Sequence, residues 1–298
     1  MIISRIKGGI GNQLFIYAAS RRLSIKNKID LVIDDVSGFA YDNDFKRNYQ
    51  LDHFNISCRK ATAIERLEPF SRIRRYIKRN LNRKLSFDKR NFIEEEGASF
   101  EDKFLRLQIK DKLYLEGYFQ SENYFKDVEL EIREDFKINP PIDNKNLLFL
   151  KKIKNSNSVA IHFRFFDNIV IASNKNLQNK SNTSINYYKD AILKMNSYLS
   201  NPHYFIFSDQ PNKVTKYLPL NNDQVTIIDH NNISKMAYAD LWLMSQCKHY
   251  IIAKSTFSWW GAWLSNYKSK IIIAPKLDES DHTSWSSKSL IPKTWKTI

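Results

Sequence analysis

The chain has little of what marks a stapled, fibrous or membrane-spanning protein. Two cysteines, Cys58 and Cys247, stand far apart in 298 residues. That excludes a disulfide framework and a cysteine-based zinc module, and it fits a reducing compartment. Seven glycines and eight prolines are too few for a collagen-like or linker-rich chain. No apolar run approaches the length of a membrane span; the longest, at 250–253 and 271–275, have the length of strands. The start, Met-Ile-Ile-Ser-Arg-Ile-Lys-Gly-Gly, lacks the apolar core and small-residue cleavage site of a signal peptide, so the expected location is the cytoplasm.

What is present points to a folded chain with anionic partners. Hydrophobic residues make up 42% and charges of both signs are abundant, which excludes wholesale disorder and suffices for two domains. The net charge is +15. Such an excess suits phosphorylated small molecules, a membrane surface or nucleic acid without choosing among them. Twelve Lys and Arg residues fall within 59–90, opposed only by Glu65, Glu68 and Asp88. Leu67, Phe70, Ile73, Ile77 and Leu81 recur there at three- and four-residue steps. The spacing predicts a basic amphipathic helix over 61–82. Its apolar stripe is expected on the core, and its charged face is either solvated or docked on an anionic membrane or an acidic substrate. No nucleic-acid-binding motif accompanies the charge, so no nucleic-acid partner is expected.

Short β-rich runs alternate with helical ones. Strands are predicted at 2–6, 29–33, 112–116, 159–163, 204–207, 225–228, 249–253 and 270–274. Helices are predicted at 13–25, 121–136, 186–199, 234–246 and 257–265. Asn139-Pro140-Pro141 and the polar run 151–157 punctuate the middle, giving domains 1–150 and 151–298. This alternation implies an α/β fold with parallel sheets that bind ligands beyond the carboxyl ends of their strands.

Three segments carry chemistry. In Gly8-Gly9-Ile10-Gly11-Asn12-Gln13, glycines allow a tight turn or a close ligand approach at a helix N-terminus. Asn12 and Gln13 add polar groups at its tip. The run lacks the signature of a P-loop and of a clean dinucleotide fingerprint. In Val159–Asp167 a strand delivers His162 and Arg164 to one face. Arg164 suits a diphosphate, and Asp167 could orient either side chain. In the third, Ser255 and Thr256 stand where a helix N-cap belongs, an anion seat, with Trp259, Trp260 and Trp263 expected in the core. Asp240 either favours a helix dipole or accepts the N1 and N2 protons of guanine.

Gly-Gly-Ile-Gly-Asn-Gln-Leu-Phe at 8–15 and Ser-Thr-Phe-Ser-Trp-Trp-Gly-Ala-Trp-Leu at 255–264 resemble the bacterial α-1,2-fucosyltransferases of glycosyltransferase family 11. So do Tyr-Leu-Glu-Gly-Tyr-Phe-Gln-Ser at 114–121, Phe-Ile-Phe-Ser-Asp at 205–209 and Asp-Leu-Trp-Leu-Met-Ser at 240–245. The resemblance implies a GT-B-like architecture of two facing Rossmann-type domains. The first would contact the acceptor through Gly9, Gly11, Asn12 and Gln13. The second would hold GDP-fucose through Arg164, Asp240, Ser255, Thr256, Phe257 and Ser258. It further implies inversion at the anomeric carbon, no metal and no other cofactor. The acceptor would be an oligosaccharide hydroxyl, galactose O2 of a surface glycan such as an O-antigen carried on a lipid. The base is Asp167 or His162. The chain departs from the family's His-x-Arg-Arg-Gly-Asp at Phe165 and Phe166, and Lys254 replaces an Asn. That leaves open another GDP-sugar or a non-catalytic binding relative.

Overall fold

Strands buried on both faces read as unbroken apolar runs, and such runs form the centres of two parallel sheets. The computed structural model describes residues 1–43, 45–165, 183–231, 234–277 and 284–298. The chain divides into two compact units. One comprises 1–137 with 287–290, the other 138–286 with 291–298.

In the first unit β1 (Ile2–Arg5) leads into α1 (Ile10–Asn27), β2 (Leu31–Asp34), β3 (Arg59–Lys60), α2 (Ser71–Arg83), β4 (Phe92–Glu94), β5 (Leu113–Glu116) and α3 (Glu129–Asp135). The sheet order is β3-β2-β1-β5-β4 and every pairing is parallel. Thirteen of the 18 residues of α1 are buried, including the unbroken run from Gln13 to Ser20, so it is a core helix. It ends at Lys28, which adopts φ 53° and returns its N–H to the carbonyls of Ile25 and Ser24.

The second unit contains α4 (Asn144–Lys154), β6 (Asn157–Phe163), α5 (Ile185–Tyr198), β7 (Pro202–Ser208), β8 (Val225–Ile228), α6 (Ala237–Ser245), β9 (His249–Ile251), α7 (Thr256–Leu264), β10 (Ile272–Ala274) and β11 (Lys296–Thr297). Its parallel order is β11-β10-β9-β6-β7-β8. Numbered within the unit, this is the 3-2-1-4-5-6 order of the Rossmann fold. Its topological switch point lies between β6 and β9.

Three expectations change. The division falls at 137/138, and 150/151 lies within α4. That polar run is a helix because Asp143 caps it, accepting from the Asn146 N–H at 2.9 Å, and Ile153 is buried beneath it. The expected helix over 121–136 is two short 3₁₀ turns, at Glu122–Tyr124 and Lys126–Val128, followed by α3. Aromatic packing outweighs helix continuity there: Tyr124 stacks edge-on against Phe104 and Phe119, with centroids 5.0 and 5.5 Å apart.

The third change concerns α2. It spans 71–83, and its apolar stripe faces outward instead of into the core. The cause lies at the carboxyl ends of β2 and β5, where the Asp34 and Glu116 side chains are 0% and 3% exposed. A buried carboxylate without a partner is costly. Arg75, itself 5% exposed, reaches both, Nη2 to Asp34 Oδ2 at 2.6 Å and Nη1 to Glu116 Oε1 at 2.5 Å. Arg79 adds contacts to Glu94 at 3.0 Å and Glu116 at 3.5 Å. The arginine face therefore turns inward.

Candidate active site at the switch point of the second sheet

In an open parallel sheet, the strand ends flanking the switch point diverge and leave a crevice. β6 ends there with His162 and Phe163, and Arg164 follows. Beyond β9 the chain runs through Ala253 and Lys254 to Ser255, the N-cap of α7. Arg164 Nη1 lies 3.4 Å from the Ser255 hydroxyl, to which it donates. The same hydroxyl oxygen accepts the Phe257 N–H at 3.3 Å. A half-buried guanidinium and a helix N-terminus thus converge on one spot, an arrangement suited to a diphosphate.

Neighbouring groups set this geometry. Ser258 is buried, donating to the Ser255 carbonyl at 3.2 Å and accepting the Ala253 N–H at 3.3 Å. Its hydroxyl fixes the turn from inside, so the expected donor contact at Ser258 moves to a supporting place. Thr256 and Phe257 are half-buried in the first turn of α7. Trp259, Trp260 and Trp263 pack in the core, Trp259 and Trp260 edge-to-face at 4.9 Å. A Cβ on Gly261 would lie 2.3 Å from Met244 Sδ, so α6 and α7 approach closely only because that position is glycine.

Two tyrosines of α5, which the sequence analysis passed over, tie the strand ends. Tyr187 Oη donates to the carbonyls of Ile252 and Ile273 at 2.8 and 2.9 Å, and Tyr188 Oη to that of His162 at 2.9 Å. Asp209, at the end of β7, accepts the Phe165 N–H at 2.8 Å and so holds the chain just after Arg164. Asp209 lies within the quoted run Phe-Ile-Phe-Ser-Asp, which could have drawn attention to it. Phe165, where the resemblance implies a second Arg, packs on Phe163 and Tyr217 with centroids 4.8 and 5.8 Å away.

His162 is buried beside Phe257, with ring centroids 5.3 Å apart, and among the described residues its Nδ1 has no hydrogen-bond partner. Burial, reinforced by the Arg164 charge, lowers its pKa to about 3. The ring is neutral at neutral pH and a weak proton acceptor. Asp167 lies outside the described residues.

Asp240 stands in the first turn of α6. Its Oδ1 accepts from Asn231 Nδ2 at 2.8 Å. Asn231 exchanges two hydrogen bonds with Asn146, at 3.1 and 3.0 Å, and both amides are buried. Burial raises the Asp240 pKa to about 7, against the opposing pull of Asn231. Neither asparagine had a sequence signal.

The glycine-rich turn belongs to the first unit. Gly8 adopts φ +76°, a conformation that glycine accepts without strain. Gly9 caps α1, and Gly11 is buried within it. Gln13 does not extend from the tip. It is fully buried, with Nε2 donating to the carbonyls of Gly8 and Asn48 at 2.8 and 2.9 Å and Oε1 accepting the Gln50 N–H at 2.9 Å. Asn12 is half-buried, its Oδ1 accepting from Gln120 Nε2 at 2.8 Å. Gly9 and Asn12 are the residues of this group that keep exposed surface.

Among the described residues no group of three or more His, Cys, Asp or Glu could hold a metal ion. Likewise, no described helix is long and apolar enough to cross a membrane.

Comparison with known proteins extends these observations. An α-1,2-colitosyltransferase of Escherichia coli is 31% identical over 281 residues, covering 92% of this chain and 91% of that protein. The O-antigen biosynthesis glycosyltransferase WbnK of Escherichia coli is 31% identical over 288 residues, covering 92% and 93%. The structure of the fucosyltransferase NodZ from Bradyrhizobium superposes with a TM-score of 0.49 at 14% identity, covering 88% of this chain and 92% of that one. The model of the family Glycosyl transferase family 11 matches residues 1–298. With motifs at both ends of the chain inside that match, the protein belongs to glycosyltransferase family 11.

Proposed function

We propose that this glycosyltransferase moves L-fucose from GDP-fucose to a hydroxyl of a bacterial surface oligosaccharide, galactose O2, with inversion and without a metal. The observation that carries the reading is the convergence of Arg164 and the Ser255-capped start of α7 at the switch point. An acceptor hydroxyl attacks C1 of the sugar from the face opposite the diphosphate. The C1–O bond to GDP breaks, the hydroxyl proton leaves, and negative charge grows on the departing β-phosphate. Arg164 and the N–H groups at the start of α7 answer that charge, the work a divalent ion would otherwise do. Asp240, ionised, would accept the N1 and N2 protons of guanine, with Asn231 fixing its orientation. Because His162 is a weak base, proton removal falls to another group. The first unit, with Gly9 and Asn12, would serve the acceptor.

A second reading keeps the reaction and changes the sugar. The colitosyltransferase relative supports it, and so does Phe165 in place of a second Arg. Colitose is fucose without its 3-hydroxyl.

Thermal-shift titration with GDP, UDP and ADP, with and without EDTA, tests the site; a ligand that binds only the folded protein raises its melting temperature. A GDP-selective rise insensitive to EDTA is expected. A larger rise with another nucleotide, or strict dependence on a divalent ion, overturns the reading. Turnover with GDP-fucose against GDP-colitose then decides the sugar.

A further inference from the structure

The outward face of α2 is a surface that the proposed transfer leaves unused. Ile73, Ile77 and Leu81 are 59%, 51% and 59% exposed. Their four-residue spacing places them on one stripe of a helix whose 13 residues make it about 20 Å long. Scattered exposed apolar residues need no explanation, whereas a contiguous stripe on a helix does. The helix cannot roll to bury it, because Arg75 on the opposite face is held by Asp34 and Glu116.

The charge beside the stripe identifies what covers it. Arg74 and Lys84 border it and are exposed, whereas Arg72, three and seven residues before Arg75 and Arg79, lies on their face beside Tyr41. Among the described residues neither Arg74 nor Lys84 forms a salt bridge. Arg74 donates to the Glu68 carbonyl at 3.2 Å. From Pro69 to Phe87 the sequence contains no Asp or Glu. An apolar protein groove would cover the stripe and leave the cations unanswered. A second copy would bring two like-charged sets together across a two-fold axis. An anionic bilayer answers both, with acyl chains for the stripe and phosphates for the cations.

We propose that the outward face of α2 docks on an anionic phospholipid bilayer, the stripe entering the headgroup–acyl boundary and Arg74 and Lys84 meeting lipid phosphates. This differs from attraction by the basic segment as a whole, since Arg75 and Arg79 are engaged inside the protein. It requires no catalysis and stands apart from the identity of the donor.

The test is co-sedimentation of the full chain with vesicles of phosphatidylcholine alone and of phosphatidylcholine mixed with phosphatidylglycerol, at low and at near-physiological salt. Binding to the mixed vesicles is expected, weakening as salt rises. Each cation removed is worth about fivefold, so Arg74→Gln with Lys84→Gln should lower partitioning roughly thirtyfold. Ile73→Ser with Ile77→Ser and Leu81→Ser should abolish binding and leave the melting temperature unchanged. No binding to mixed vesicles at low salt overturns the proposal, as does equal binding to neutral ones. So does undiminished binding of the serine variant, or a dimer in analytical ultracentrifugation that the serine variant dissolves. A serine variant that melts early would show the stripe to be buried and would equally refute the docking face.

Discussion

Replacing Arg75 by Met keeps an apolar stem of similar length and removes the charge between two buried carboxylates. Asp34 would retain two donors from Ser37, its N–H at 2.9 Å and its hydroxyl at 2.5 Å. Among the described residues, Glu116 would retain the longer contacts to Arg5 at 3.6 Å and Arg79 at 3.5 Å. Removing one partner of a buried pair costs about 3–5 kcal/mol, because an uncompensated charge remains. With Asp34 still partly satisfied and Glu116 nearly bare, about 4 kcal/mol is expected, a fall of roughly 10 °C in melting temperature. Guanidinium unfolding should show a lower midpoint with an unchanged slope. Arg79→Met is the control. Its side chain is 29% exposed, and solvent screening holds its loss to about 1 kcal/mol or less. Combining Arg75→Met with Asp34→Asn and Glu116→Gln should recover much of the loss, since no buried charge is then left alone. If Arg75→Met costs no more than Arg79→Met, or the triple variant is no better than the single one, the ionic account of how α2 is oriented is wrong.

Asp240 sets a pH dependence. Its folded pKa of about 7 lies above the unfolded value of about 3.9. The associated stability is full below about pH 4 and is lost as pH rises to about 7, at no more than about 1.4 kcal/mol per pH unit. Asp240→Asn should flatten that slope in melting temperature measured from pH 5 to 8. If Asp240 binds guanine as proposed, GDP affinity needs its ionised carboxylate and should fall in the native protein as pH drops through about 7, and calorimetry would expose a flat profile. Gln13→Ala removes three buried hydrogen bonds and should cost about 1–3 kcal/mol in guanidinium unfolding, with GDP affinity unchanged at low temperature. Gly261→Ala forces a methyl group against Met244; about 1–3 kcal/mol of stability should be lost, and an unchanged melting temperature would contradict the close packing of α6 on α7.

Where one physical signal dominated, the sequence was legible. β6, β7 and β8 are apolar runs bounded by polar turns, and they lie within a residue or two of their predicted places. Ser255 caps α7 as its chemistry requires. Short strands at sheet edges were not legible: β3, Arg59–Lys60, and β11, Lys296–Thr297, are two charged or polar residues each, exposed, and defined only by the strand beside them. The sense of α2 was hidden because periodicity locates a stripe without saying which face the core prefers. Asp34 and Glu116, distant in sequence, decide that. Gln13 and Asn231 were obscured for a related reason, since an amide's partners lie in loops that no local pattern connects.

The order of the second sheet has a metrical consequence. Arg164 and Ser255 leave two strands that pair directly, with Ile161 opposite Ile251, so their separation derives from the inter-strand repeat of about 4.8 Å. The sheet works as a ruler: the gauge between guanidinium and helix end is set by main-chain pairing, which side-chain changes hardly alter. Substitutions such as Phe165, or insertions in the loops beyond either strand, can redraw what surrounds the proposed phosphate seat while the ruler keeps its scale.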